Sequence, residues 1–552
     1  AGYKSYLDLI IKAGTDGMRF IQELLQNADD CIYPRERTPS FKLYQRGNSI
    51  FTEYNEAGFT RANIRSITAI GESTKNRLLN GDAIGEKGVG FKSVFRKASK
   101  VKIDSGEYHF SLEAEEPTIP RLVEGAKETV TGTKMEIVLK SHSVISPLGP
   151  KDILKLCLCL RQLRKIDINN HKVSISDSET KRTIKIDNHT YVFSKYTHPF
   201  VVTEEKALKD RGNGTREVSP NQEIVCYVPD KASATEYSLY AGLPTKHMIR
   251  IPMVIDAPFE LTTSREAIEE DCTSWNNIIR REMYDAIVEV IHARKAEDRA
   301  NVLRFARFVS RFQGNQERAY VTDLSDLQYI NQYDYLSRLR AEKILPTFDK
   351  NVFASVSGET AYQYPKAATL ILSKLVSAEY GALRPETVID PEVRGVSKEQ
   401  RERIDTVFKA LACEVAPFEK VFPLLQKFAE SFMEDEEFRK HLYEYLQDTP
   451  ERFKADLQSL KLIPVYKKGN AGGSQYISWI EDGIFVKKNT KTSHKAYWVL
   501  NETLLPKAMC EEMLGVYVNE MNPEWERSRY RNNLREIIKG SDVTQIYHYL
   551  IA

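Results

Sequence analysis

The segment FIQELLQNADD, residues 20–30, constrains the fold more than any other stretch of the chain. Ile21, Leu24, Leu25 and Ala28 recur at helical spacing and mark one face for burial. Glu23, Asn27 and Asp30 fall at i, i+4 and i+7 and form a second stripe on the other side. No Lys or Arg stands within the segment. A solvated helix face is the ordinary explanation of such a stripe. The alternative is a carboxylate and an amide placed to handle a metal-bound nucleotide and a water.

The following segments punctuate clearly. SFKLYQRGNSIFTEYN holds two alternating runs around Arg46-Gly47-Asn48, the pattern of a hairpin. FTRANIRSITAIG is expected to form a helix capped near Thr60, and the polar ESTKNRLLNGDA a loop. IGEKGVGFKSVF carries Gly85, Gly88 and Gly90 ahead of a helical pattern with Phe91, Val94 and Phe95 inward. KVKIDSGEYHFSLEAE is expected to turn at Ser105-Gly106, and GTKMEIVLK to be a strand with Met135, Ile137 and Leu139 on one face. PKDILKLCLCLRQLRKI is expected to be a helix that closes this first unit near residue 165. Helices and antiparallel strands in this order suggest an α/β sandwich with helices on one face of a mixed sheet.

At 552 residues the chain has room for roughly three or four domains. We expect boundaries at 1–165, 166–315 and 316–552. The second domain is α/β: KVSISD, TIKIDN, YVFSKY, EIVCYVP and IRIPMVI are strand-like, and a long helical tract begins at TSWNNII. The third is α-rich, and AEKILPTFDKNVFASVSG (341–358) echoes SLKLIPVYKKGNAGGSQYIS (459–478), the mark of a duplicated module. Lys+Arg 79 against Asp+Glu 77 gives no bulk support for nucleic-acid or acidic-membrane binding. KKNTKTSHK (487–495) and RSRYRNNLREIIK (527–539) are local basic runs that read first as solvated surface. The seven cysteines lack zinc-finger or disulfide-scaffold spacing, so thiols in a reducing intracellular compartment, cytoplasm or nucleus, are expected. No apolar run is long enough to span a membrane, and AGYKSYLDLI is no signal peptide. The chain begins without Met and close to its first motif, so the natural protein is expected to extend upstream.

Glycines let backbone N–H groups approach phosphate oxygens with no Cβ in the way, and a helix start behind them attracts anions. GEKGVGFKS has both features. It is not a Walker A loop, because Phe91-Lys92-Ser93 follows Gly90 in place of Gly-Lys-Ser/Thr. Nor does a strand clearly precede it, as a Rossmann unit requires.

Taken in order, Glu-x-x-x-Asn-x-x-Asp on the first helix, an Asn-Glu-x-Gly turn after a strand, a polar lid, Gly-x-x-Gly-x-Gly and a strand opened by Gly-Thr resemble the GHKL ATPase superfamily. That superfamily includes gyrase B, the ninety-kilodalton heat-shock chaperones, histidine kinases, MutL and MORC. Within it, ELLQNADD, GFTRANIRSITAIGESTK and GEKGVGFKSVF are similar to the sacsin and NO VEIN group. The resemblance covers residues 5–140 and resumes at IRIPMVIDAPFELTTSREAI. It implies a Bergerat-type sandwich that binds ATP with Mg²⁺, followed by a transducer-like middle domain. It also implies Glu23 as the general base, Asn27 as the Mg²⁺ ligand and Asp30 as an acidic support of the pocket. Gly85, Lys87, Gly88, Val89, Gly90 and Phe91 match the phosphate loop, Gly58 the turn, and Thr133 a hydroxyl on the adenine side. A carboxylate can take a proton from water, and an amide oxygen suits Mg²⁺.

The superfamily reads the adenine amino group with an Asp in Asp-x-Gly-x-Gly. Here YNEAGF stands instead, so Tyr54, Asn55 and Glu56 are the candidates for that place. In the heat-shock chaperones a Ser-Arg-Glu turn sends its arginine to the γ-phosphate, and Ser264-Arg265-Glu266 matches it; an ion pair with Glu266, Glu269 or Asp271 is the plainer reading of Arg265. The expected function is ATP hydrolysis coupled to a change of shape, serving an unknown protein client, with a nucleotide-dependent dimer in view. A MORC- or MutL-type nucleic-acid clamp and a non-hydrolysing ATP sensor are the alternatives.

Overall fold

The structure is a computed structural model. It describes residues 17–68, 91–123, 128–140, 148–212, 218–230, 237–249, 251–262, 267–269, 272–299, 302–303, 305, 335–356, 362–375, 387–394, 398–467, 473–480, 484–487 and 498–521. The expected lid (72–83), the glycines at 85, 88 and 90 with Lys87 and Val89, Arg265, the boundary near 315 and nearly all of both basic runs lie outside them. Contacts divide the chain into one unit of residues 1–339 with 396–411 and a second of 340–395 with 412–552.

The first unit is mixed α/β, built on one 14-stranded sheet. Its strands run β1 (Ser40–Arg46), β2 (Ser49–Tyr54), β3 (Ala98–Gly106), β4 (Tyr108–Glu113), β5 (Glu116–Leu122), β6 (Val130–Leu139), β7 (Lys165–Ile168), β8 (His171–Asp177), β9 (Lys181–Ile186), β10 (His189–Val201), β11 (Asn221–Pro229), β12 (Tyr237–Ala241), β13 (Leu243–Ile249) and β14 (Val254–Asp256). In space the order is β13-β12-β14-β11-β10-β9-β8-β7-β1-β2-β6-β3-β4-β5. The β1–β7 and β12–β14 pairs are parallel. The sheet therefore runs through residue 165, where the first unit was expected to close.

Local chemistry accounts for the elements. The β1–β2 hairpin closes Arg46 against Ser49, with Gly47 at φ +55° supplying the turn. Helix α1 (Gly17–Asp29) buries Ile21, Leu24, Leu25 and Ala28 in one core with Phe41, Leu43, Ile50, Ile103 and Ile137 of the sheet. Helix α2 (Arg61–Thr68) opens on a reciprocal cap: the Thr60 N–H donates to Asn63 Oδ1 at 2.8 Å, and the Asn63 N–H to Thr60 Oγ1 at 3.3 Å. The helical pattern after the glycines forms a 3-10 helix, Phe91–Arg96, with Val94 and Phe95 buried.

One expected element is shorter than its pattern. Helix α3 spans Pro150–Cys157 only, and residues 165–168 form β7. The reason lies in the backbone partners of the link between them. The N–H groups of Arg161, Gln162 and Leu163 donate to the buried Asp29 carboxylate at 2.7, 2.9 and 2.8 Å. Arg182, itself buried and paired with Asp177, donates to the carbonyls of Leu158 and Leu160. Side chains thus replace the helical hydrogen bonds, while Leu158, Cys159, Leu160 and Leu163 stay in the core. Within the long tract that begins at TSWNNII, helix α4 (Thr273–Arg294) packs on β10 and β11.

The second unit holds a repeated chain path. Leu345–Pro346 pairs antiparallel with Phe353–Ala354, and Ile463–Tyr466 with Ser474–Ile477. After each hairpin a central strand takes two parallel neighbours: Tyr362 and Gln363 bridge Val388 and Val415, and Ile484–Lys487 pairs with Trp498–Val499 and Asn519–Met521. Each path bends on a buried Asp390 or Asn501 whose N–H donates to the hairpin proline carbonyl, of Pro346 or Pro464, at 2.9 Å. The sequence echo is a duplicated fold unit, joined by helices that include Phe418–Phe432 and Glu436–Leu446.

All seven cysteines are free thiols, and no described helix is long and apolar enough to cross a membrane. Asp29→Ala should lower unfolding free energy by about 3 kcal/mol or more, since it strands three backbone N–H groups at ~1–3 kcal/mol each. Urea unfolding of the variant checks this; an unchanged midpoint would show that the link needs no acceptor.

Candidate functional site

The polar stripe of α1 is not a solvated face. Glu23 is 8% and Asp30 4% exposed, and Asn27 is half-buried. Asp30 follows the last helical residue, its N–H still bonded to the Gln26 carbonyl at 3.0 Å. Carboxylates are costly to bury, so a folded chain keeps them there only for partners or ligands.

The ends of β2, β3 and β6 bring a second polar group together. Glu56 is 3% exposed, and Thr133 and Ser105 are fully buried. The Gly58 N–H donates to Glu56 Oε2 at 2.6 Å, and the Thr133 hydroxyl to Oε1 at 2.5 Å. The Ser105 hydroxyl lies 2.5 Å from that of Thr133 and accepts the Phe59 N–H at 2.8 Å. Burial pushes the Glu56 carboxyl above the usual range, while its bonds to Thr133, Gly58 and Ser105 pull the other way.

Two glycines make this approach possible. Gly132 sits at φ +77°, and a Cβ there would lie 2.2 Å from the Tyr54 carbonyl oxygen. Only glycine lets β6 come close enough to set Thr133 against Glu56. Gly58 adopts φ +92° in the turn that returns its N–H to Glu56. The turn is fixed at the end of α1, where the Ala57 N–H donates to the Ile32 carbonyl at 2.9 Å.

Of the three candidates in YNEAGF, Glu56 accepts the Thr133 hydroxyl, and Tyr54 faces Thr133 across the strands. Asn55 is occupied in the loop: its Oδ1 accepts the Ser40 N–H at 2.8 Å and its amide donates to the Thr38 carbonyl at 2.9 Å. Tyr54 points into the core and stacks on Phe41. Phe91 packs against the same core, edge-on to Phe95. Arg265 lies outside the described residues, but its flanks are held. Leu261 bridges Ile268, and the Asn276 side chain accepts the Glu260 N–H at 2.8 Å and donates to the Glu269 carbonyl at 2.8 Å.

Asp29 and Ser105 carry much of this arrangement without having been singled out in the sequence. Asp29 looked like one more acid beside Asp30, and Ser105 like a turn residue of DSGEY. Among the described residues no group of three His, Cys, Asp or Glu could hold a metal by itself. A concavity of about 490 Å³ is lined by Lys42, Glu53, Lys134, Lys165 and Asp167 together with Tyr54, Asn55 and Thr133.

No protein-family model matches the chain. Over 320 residues it is 26% identical to Protein NO VEIN of Arabidopsis thaliana. The match covers 50% of this chain and 11% of that protein, so the chain spans about a tenth of its relative's length. This likeness shows a distant relationship.

The Glu56 carboxyl supplies a pH test. Its folded pKa lies above the unfolded value, so its contribution to stability is fully present below the unfolded pKa and is lost as pH rises through the folded one. Glu56→Gln removes that ionisation. Its stability relative to wild type should therefore rise as pH increases from about 4. Urea midpoints across this range check the sign, and a relative stability that falls with pH would contradict it.

Proposed function

We propose that the N-terminal part of this chain is a GHKL-type module that binds ATP with Mg²⁺ and hydrolyses it, coupling nucleotide state to shape in service of a protein client. The observation that carries the reading is the buried Glu56–Thr133 pair at the end of a helix that buries Glu23 and Asp30. A buried carboxylate oriented beside a buried hydroxyl fits a ligand that brings an amino group.

In this reading each residue has a task. Glu56 and Thr133 take the base, with Glu56 in the place of the superfamily's Asp. Asn27 offers an amide oxygen to Mg²⁺, and Asp30 supports the pocket beside it. Glu23 polarises the attacking water, for which a carboxylate held out of bulk solvent is suited. Residues 85–91 cradle the phosphates through backbone N–H groups. Arg265, whose flanking residues Glu260 and Glu269 are held by Asn276, offers its guanidinium to the charge that builds on the γ-phosphoryl oxygens. Mg²⁺ would neutralise phosphate charge and orient the triphosphate.

Asn27→Ala should lose Mg-ATP affinity in calorimetry, because the triphosphate charge is then poorly compensated. Glu23→Ala should keep that affinity and lose about 10²–10⁴-fold in turnover. Unchanged affinity in Asn27→Ala would remove the metal role. A wild type that binds ATP without turnover above background would make the module a sensor.

A further inference from the structure

Strand register sorts the charged side chains that line the concavity into two rows. Lys172, Asp167, Lys42, Glu53 and Lys134 stand opposite one another along β8, β7, β1, β2 and β6, alternating in sign. This row supplies its own partners. Each acid has a lysine on either side, Lys42 rests over the Tyr44 ring at 5.0 Å, and the Tyr44 hydroxyl donates to Glu53 at 3.2 Å. The next row reads Lys185, Ser174, Lys165 and Ser40 along β9, β8, β7 and β1, and it holds no acid. Lys165 thus has a serine on either side, each one strand spacing of about 5 Å away. Lys165, Ser174 and Ser40 line the concavity together with the whole first row.

We propose that this concavity binds the phosphate of a small phosphomonoester, with the Lys165 ammonium and the Ser40 and Ser174 hydroxyls donating to its oxygens. Charge and size set the ligand class. The lining carries four lysines, Lys42, Lys134, Lys165 and Lys172, against two acids, Glu53 and Asp167, and four minus two leaves a net charge of +2. A phosphomonoester brings about −1.5 to −2 near neutral pH, with three acceptor oxygens. A volume of about 490 Å³ is that of a small-molecule site and leaves room for the esterified group beside the phosphate. The site stands on these residues alone and does not depend on the nucleotide reading.

A polyanion fits less well. Along β3, Lys102 pairs with Glu136 at 2.7 Å and Lys100 with Glu113 at 3.2 Å. Those lysines are already compensated, so the positive groups do not continue from the concavity as the track that a nucleic-acid backbone needs. Lys165 occupies an exposed strand position, and replacing it leaves the core residues Ile166 and Ile168 in place. Asp167 lies two residues further along the same strand face and repels an anion held at Lys165. At that separation, about 7 Å, one unit charge in water is worth about threefold in affinity.

The test is calorimetric titration of the 552-residue chain with phenyl phosphate and with phenyl sulfate, in the presence and absence of Mg-ATP. The sulfate ester has the same shape and a single charge. Wild type should bind the phosphate ester about tenfold more tightly and lose that margin as pH falls through about 6, where the phosphate takes up a proton. Lys165→Met should weaken phenyl phosphate about tenfold, the worth of a charged hydrogen bond. Asp167→Asn should strengthen it about threefold, a gain that loss of structure cannot produce. Lys151→Met, at an exposed lysine of α3, should change neither. A wild type that binds neither ester, equal affinity for the two, or a natively folded Lys165→Met with wild-type affinity overturns the proposal. Displacement of phenyl phosphate by Mg-ATP would place the phosphate in the nucleotide pocket and overturn it as well. A phosphoserine peptide that binds more tightly than phenyl phosphate by about tenfold or more overturns the small-molecule assignment in favour of a protein ligand.

Discussion

The buried Asp29 carboxylate, receiving the N–H groups of Arg161, Gln162 and Leu163, is the contact on which the N-terminal architecture depends. It stands at the end of α1, so it ties the helix that carries Glu23 and Asn27 to the chain entering β7. β7 in turn pairs in parallel with β1 and carries the sheet onward into β8–β14. Three N–H groups left bare in the interior would cost several kcal/mol, a large part of a domain's net stability. One side chain therefore sets where α3 stops, how the sheet continues, and where the polar stripe of α1 comes to rest.

The polar groups at the ends of β2, β3 and β6 have a different character. Asp29 and Arg182 satisfy backbone and are explained by the fold. Glu56 likewise takes a backbone N–H, that of Gly58, and burial pushes its carboxyl up, but its other oxygen accepts a side-chain hydroxyl, that of Thr133. Its bonds to Thr133 and Gly58 orient it, and Gly132 exists in the one conformation that permits the approach. A buried, oriented carboxyl of this kind is what the proposed base-binding role requires.

Much of this was legible in the residues, and the misses have physical causes. The α1 stripe, the Gly47 hairpin, the Thr60 cap and the inward Met135, Ile137 and Leu139 follow from local periodicity and turn chemistry. Both stretches of the echo between 341–358 and 459–478 form hairpins and keep the strand-entry proline whose carbonyl takes the N–H of Asp390 or Asn501. The overrun of α3 was not legible. LKLCLCLRQL is apolar enough for a buried helix, and the partners that end it, Asp29 and Arg182, are distant in sequence. That Glu56 accepts the Thr133 hydroxyl while Asn55 is held by Ser40 and Thr38 also needed the fold, since Gly132 alone permits the close approach.

The central claim is that the end of α1 and the ends of β2, β3 and β6 form the wall of one nucleotide pocket. Hydrogen–deuterium exchange of the whole chain with and without Mg-ATP tests it most directly. The account expects nucleotide to slow exchange in peptides covering residues 20–33, 55–60 and 130–135, and to leave the duplicated strands at 463–466 and 474–477 unchanged. Saturating Mg-ATP with no change at 55–60 and 130–135 would contradict it.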